Sequence, residues 1–131
     1  MTAQALGRLK DALVLVQDDV FASGLSFRLA VRSVGSFRER SIYHVTLEDG
    51  RFYGGVSGRE GETEEDALAE VAEGVQDLFA EVLNIAWPDC AVHNRGLHMH
   101  CPAGSSPAWW CYFGEGHLVA PVGELSALNP S

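Results

Sequence analysis

Cysteine and histidine are scarce in this chain and unevenly placed. All three cysteines and four of the five histidines fall between Trp87 and His117. Within that stretch Cys90-x2-His93 and Cys111-x5-His117 make two pairs separated by 17 residues. Thiolate and imidazole are the donors that zinc prefers, and four of them close a tetrahedral site. The spacing therefore predicts one structural Zn²⁺ held by Cys90, His93, Cys111 and His117. The donor set is overcomplete. His98, His100 and Cys101 offer alternatives, and His98 and His100 share a face if their segment is extended. A plain packing role competes with ligation, because cysteine also behaves as a small hydrophobe. Cys111 beside Trp109, Trp110, Tyr112 and Phe113 suits a core, and Cys90 suits a place under a helix end with His93 in water.

Two knuckles of this kind resemble a zinc ribbon, in which one turn and one hairpin each donate two ligands. Ligation then depends on how residues 111–117 turn. A three-residue Gly114-Glu115-Gly116 loop sets Phe113 opposite His117 and Cys111 opposite Val119. Cys111 and His117 become diagonal neighbours on one face, about 7–8 Å apart. A two-residue Glu115-Gly116 turn puts them on opposite faces, and the residue types suit both. Catalytic motifs are weaker. Pro88-x-Cys90-x2-His93 is similar to one half of a zinc deaminase, but that chemistry needs an H-x-E glutamate. None of the five histidines is followed by x-Glu, as His44-Val45-Thr46 illustrates. The chain has no HExxH, GxSxG or P-loop. A Cys–His nucleophile pair drawn from the cluster is the remaining enzymatic option.

The elements that must position these residues can be read in order. Leu6, Leu9, Leu13, Val16 and Val20 recur at helical spacing and predict a helix over 3–20, although Ala12 to Val16 also fits a short buried strand. Phe27, Leu29 and Val31 then alternate with polar or small residues, which predicts a strand. Val34-Gly35-Ser36 reads as a loop, and 41–48 as a second strand with Tyr43, Val45 and Leu47 on one face. Asp49-Gly50 predicts a two-residue type I′ turn that sets Leu47 opposite Phe52, Val45 opposite Gly54 and Tyr43 opposite Val56, with Glu48 facing Arg51. Thr63 with Asp66 resembles a capping box, and Leu68, Val71, Ala72, Val75, Leu78, Phe79, Val82 and Leu83 form the apolar stripe of a long helix closed by Pro88. Residues 94–107 read as turn-rich, followed by strands over 108–113 and 117–122.

Taken together, these elements predict a single α+β domain over 1–131. An antiparallel sheet is packed by a long amphipathic helix in α-β-β-β-α-β-β order, with a Cys/His-rich C-terminal hairpin over 87–122. A net charge of −9 excludes long-range attraction to nucleic acid or an anionic membrane. Residues 60–89 carry ten acidic side chains and no basic one, which reads as a solvated face or a docking face for a basic partner. The apolar run Ala12–Val16 is too short for a secretory or membrane-spanning segment, and an odd cysteine count suits a reducing cytoplasm.

Trp87, Pro88, Cys90, His93, Trp110, Cys111 and Gly123-Glu124-Leu125 resemble the C-terminal segment of a group of short, uncharacterised proteins of high-GC bacteria. That resemblance covers about 40 residues. It implies that the segment behaves as a unit and imports no function. The helix, three strands and helix over 3–84 are similar in order to a double-stranded-RNA-binding domain, but Glu62, Glu64, Glu65 and Asp66 stand where that family presents lysine. With the later strands added, the order is similar to small acidic dimeric secretion chaperones. The expectation is an acidic, intracellular protein-interaction module stabilised by zinc. Its partner is another protein or a second copy of itself, with no nucleic acid and no membrane involved. The alternatives are a dimeric chaperone or adaptor and a small zinc- or thiol-dependent enzyme.

Overall fold

Two amphipathic helices carry most of the buried surface. The computed structural model describes residues 3–37, 40–53, 63–101 and 105–128. The first apolar stripe forms helix α1, Ala3–Ala22, whose buried face includes Leu9, Leu13, Val16 and Val20. Helix α2, Glu64–Val82, starts where Thr63 accepts a hydrogen bond from the Asp66 N–H at 3.0 Å, an N-cap that satisfies one orphan donor. Glu64, Glu65 and Asp66 lie in the first turn, at the positive end of the helix dipole. The helix stops before Pro88. Asn84 adopts φ 60°, and the Leu83 and Ile85 N–H groups both return to the Phe79 carbonyl. The two helices pack against each other, and Ala67, Val71, Ala72, Val75, Leu78 and Phe79 face the shared core.

The α+β class holds, but the described strands form three small antiparallel sheets rather than one. Strand β1, Leu29–Phe37, pairs with β2, Arg40–Leu47. Val31, Val45 and Leu47 are buried and Phe27, Leu29 and Tyr43 pack on the same core, so the inward face is the one the alternation predicts. β1 starts later than expected because the Gln17 amide intercepts the backbone ahead of it. It donates to the Phe27 carbonyl at 2.7 Å and accepts from the Leu29 N–H at 2.8 Å. Residues 34–36, expected as a loop, continue the strand after an irregularity between Ser33 and Gly35.

The turn after β2 corrects the predicted register. Leu47 N–H bonds the Arg51 carbonyl, and the bridge is Thr46 to Phe52, so the loop has three residues, Glu48, Asp49 and Gly50. A type I′ turn needs positive φ at both central residues, whereas only Gly50, at φ 93°, has it here. The Asp49 carboxylate accepts from the Arg51 N–H at 3.0 Å and pairs with the Arg51 side chain at 2.8 Å, which favours the longer loop. Phe52 therefore lies against His44, ring centroids 4.4 Å apart, on the face opposite buried Leu47. The expected partners Gly54 and Val56 lie outside the described residues.

The C-terminal third builds two short sheets. β3, Asp89–Cys90, pairs with β4, Arg95–Gly96. The segment expected to be turn-rich also contributes β5, His98–His100, which pairs with β6, Ala108–Cys111, and β6 pairs with β7, His117–Pro121. β6 is thus central. One apolar cluster runs from Leu9 on α1 to Val122 after β7, and among the described residues no helix is long and apolar enough to cross a membrane.

Gly50 adopts a backbone conformation that a β-branched residue resists, while open space surrounds its α-carbon. Gly50→Val should lower stability by about 1–2 kcal/mol through backbone strain alone. Urea unfolding should show a lower midpoint with an unchanged slope.

Candidate metal centre

Each pair of candidate donors arises from one hairpin. In the first, Cys90 pairs with Arg95 across a four-residue turn closed by the Asn94 N–H to the Cys90 carbonyl at 2.7 Å, with Asn94 at φ 52°. The turn folds His93 back beside Cys90, and Sγ and Nδ1 lie 3.6 Å apart. In the second, Cys111 pairs directly with His117, so neither predicted turn forms. A register shift between Trp109 and Trp110 decides the geometry: Trp109 faces Ala120, but Trp110 faces Leu118. Without that bulge Cys111 would face Leu118 and His117 would point to the other side of the sheet. With it, the loop spans residues 112–116, with Gly114 and Gly116 at positive φ.

The two hairpins meet at these four side chains. Cys90 Sγ lies 3.6 Å from His117 Nε2, His93 Nδ1 lies 3.3 Å from Cys111 Sγ, and all four donor atoms lie within 4.8 Å of one another. Zinc at ordinary bond lengths in a tetrahedral site separates sulfur from nitrogen by about 3.6 Å and sulfur from sulfur by about 3.8 Å. Two sulfur–nitrogen separations, at 3.6 Å, match that edge, and the third, at 3.3 Å, is slightly shorter. Two thiolates and two neutral imidazoles also cancel the charge of a divalent ion, so the centre can be buried without a leftover charge. Cys90 and Cys111 are buried, while His93 and His117 are half-buried. None of the cysteines is in a disulfide.

Burial is the largest single influence on the Cys90 thiol and opposes its ionisation. The N–H groups of His93 and Val92, with Cys111 beside them, act the other way and leave its pKa below the ordinary 9.0. The Phe113 ring lies 4.8 Å from His93, and the Arg95 guanidinium stacks on Phe113 at 4.8 Å.

All four predicted ligands therefore converge, and the alternative donors do not. His98 and His100 share an exposed face of β5, against Tyr112 at 5.0 Å and Trp110 at 5.6 Å respectively. Cys101 is exposed, and its thiol meets the Ser105 carbonyl at 3.4 Å.

Two positioning residues, Gln76 and Asp19, went unnoticed in the sequence, and a third, Trp87, enters there only as part of a segment pattern. Gln76 on α2 donates to the Trp87 and Leu97 carbonyls, at 3.1 and 2.9 Å, and so holds both ends of the first hairpin. Asp19 on α1, fully buried, accepts from the Trp109 indole at 2.8 Å and from the Gly123 and Leu125 N–H groups. Trp109 precedes Cys111 by two residues on the same face, so this carboxylate anchors the second hairpin. Trp87 stacks edge-on against Phe79 and Trp109, at 5.4 and 5.2 Å, and joins the two halves. The available signal was position: Asp19 and Gln76 both fall on the margins of apolar helical stripes, where a polar residue needs a partner.

In comparisons with known proteins, the chain matches no protein family, no curated protein and no solved structure.

Burial raises the Asp19 pKa above the ordinary 3.8, outweighing the hydrogen bonds from Trp109, Gly123 and Leu125. A raised native pKa means that the folded state holds this proton more tightly than the unfolded chain. The resulting stability is fully present below pH 3.8 and is lost as pH rises through the native pKa. Asp19→Asn abolishes that titration and turns an N–H toward one of three donors, a penalty of about 1–3 kcal/mol. Urea unfolding of both proteins in the metal-free form should show the difference shifting in favour of the variant as pH rises from 3.8 toward neutrality.

Proposed function

We propose that this chain is a small acidic protein-interaction module, without catalysis, whose C-terminal third is held by one structural Zn²⁺ on Cys90, His93, Cys111 and His117. The observation that carries the proposal is the completeness of the donor set. Four protein ligands at tetrahedral separations leave no coordination position for a reacting water, whereas catalytic zinc sites keep one open. The surface beside the site supports a binding role. Val92 is 80% exposed and Leu118 51%, and both line one groove next to Cys90 and His117. Tyr112 and Phe113 are also about half exposed on the same hairpin. Large apolar side chains gathered at a rigid site mark interaction faces.

The partner is another protein or a second copy of this chain, in the reducing cytoplasm where paired thiols stay available to a metal. Glu64, Glu65, Asp66, Glu73, Asp77 and Glu81 are exposed along α2 and repel a phosphate backbone. Titration with duplex RNA and DNA at low salt should show no micromolar binding, and a steep salt-dependent affinity would overturn that part of the proposal.

Elemental analysis should find one zinc per chain in the wild type and none in Cys111→Ser. Mild chelation should raise hydrogen exchange over residues 90–120 most and over β2 least, leaving α2 protected. A wild type without metal, or exchange unchanged by chelation, would leave Cys90 and Cys111 as core residues only.

A further inference from the structure

The two sulfurs of the site are close enough to react with each other, and although both are buried, Cys90 borders a groove. Cys90 and Cys111 Sγ lie within 4.8 Å, about 3.8 Å apart on the edge of a tetrahedral zinc site, against about 2.05 Å in a disulfide. Cys111 sits on β6, with a strand on each side, and is fully buried. Cys90 instead lies at one wall of a groove of 530 Å³ formed with Pro88, Val92, His117 and Leu118. Its strand has only two residues, and the turn that follows is exposed at Ala91, Val92 and Asn94. The first hairpin is therefore the side that faces the groove and the side with less to hold it.

We propose that this site is a redox-controlled metal clip, in which hydrogen peroxide joins Cys90 to Cys111 and releases the zinc. The proposal rests on metal binding by the four residues named above. Cys90 thiolate attacks the terminal peroxide oxygen, the O–O bond breaks, and hydroxide leaves to take a proton and become water. The Cys111 thiolate then attacks the Cys90 sulfur, forming the S–S bond and expelling the oxygen as a second water. The sulfurs lose two electrons and the peroxide gains them. Zinc, left with two imidazoles, dissociates as the hydrated ion, and a dithiol reductant with added zinc reverses the change. The consequence is local. The tie between the two hairpins becomes a shorter covalent bond that His93 and His117 no longer share, so the apolar surface at Val92, Phe113 and Leu118 is rearranged.

The experiment uses Cys101→Ser, which removes an exposed thiol lying outside the site. Zinc content is measured first. Hydrogen peroxide is then titrated while a chromophoric indicator follows zinc, a thiol reagent counts cysteines, and intact-mass and peptide mass spectrometry follow the chain. One zinc should leave for every two thiols lost, with the chain lighter by two hydrogens and a Cys90–Cys111 linked peptide. Dithiothreitol and zinc should restore the starting state. Zinc retained with both thiols intact under excess peroxide overturns the proposal, as does release accompanied by oxygen addition to either sulfur in place of the linked peptide. A protein that holds no zinc before oxidant is added fails earlier, at metal binding itself, and takes the redox clip with it.

Discussion

A single buried carboxylate organises the C-terminal half. Asp19 lies on α1 with no exposed surface, and each of its oxygens is used: Oδ2 by the Trp109 indole and the Gly123 N–H, Oδ1 by the Leu125 N–H. Removing a carboxylate from water costs several kcal/mol, and hydrogen bonds from Trp109, Gly123 and Leu125 offset only part of that cost, which is why burial still raises its pKa. The three donors come from two stretches far along the chain from α1. The carboxylate therefore fixes where β6 enters the core and where the chain runs after β7. Trp109 then meets Trp87 edge to face, Trp87 meets Phe79, and Phe79 meets Phe27 at 5.6 Å. This row of rings runs from β6 through the first hairpin's base to α2. Cys90 follows Trp87 by three residues and Cys111 follows Trp109 by two, so the row that fills the core also sets the two halves of the Cys/His cluster against each other.

The hairpins themselves are small. β3 and β4 have two residues each, and an isolated two-stranded hairpin is marginal in water. The Gln76 amide holds the first one from below through the Trp87 and Leu97 carbonyls, and the Leu97 N–H meets the Pro88 carbonyl. A metal ion at the outer end would add a tie where the protein has little apolar area of its own, and its binding free energy would count as local folding free energy. The surface beside that tie is apolar at Val92 and Leu118, while the exposed side of α2 is acidic. The molecule thus separates an apolar patch beside the cluster from an acidic face on α2.

Much of this was legible in the residues alone. The helical stripes, the Thr63 cap and the inward faces of β1 and β2 follow from local periodicity, which depends only on neighbours a few positions apart. The four residues of the cluster were identifiable as well, because soft donors concentrated in one stretch are few enough to pair by spacing. Register was decided by contacts that spacing does not show. Asp49-Gly50 suits a two-residue turn and a three-residue loop alike, and the choice fell to the bonds Asp49 makes with Arg51, which moved Phe52 to the other face. Likewise the residues of 112–116 fit several turns, and it was the bulge opposite Trp109 that put Cys111 and His117 on one side. His98 and His100 have the right chemistry for ligands but face Tyr112 and Trp110 instead, because β5 pairs with β6 and turns them outward. A turn or a strand pair changes face with a shift of one residue, and in the C-terminal sheet the strand that carries the shift is held in place by the contact of Trp109 with Asp19. That contact joins residues about 90 positions apart, a distance at which spacing along the chain carries no information about which side chains meet.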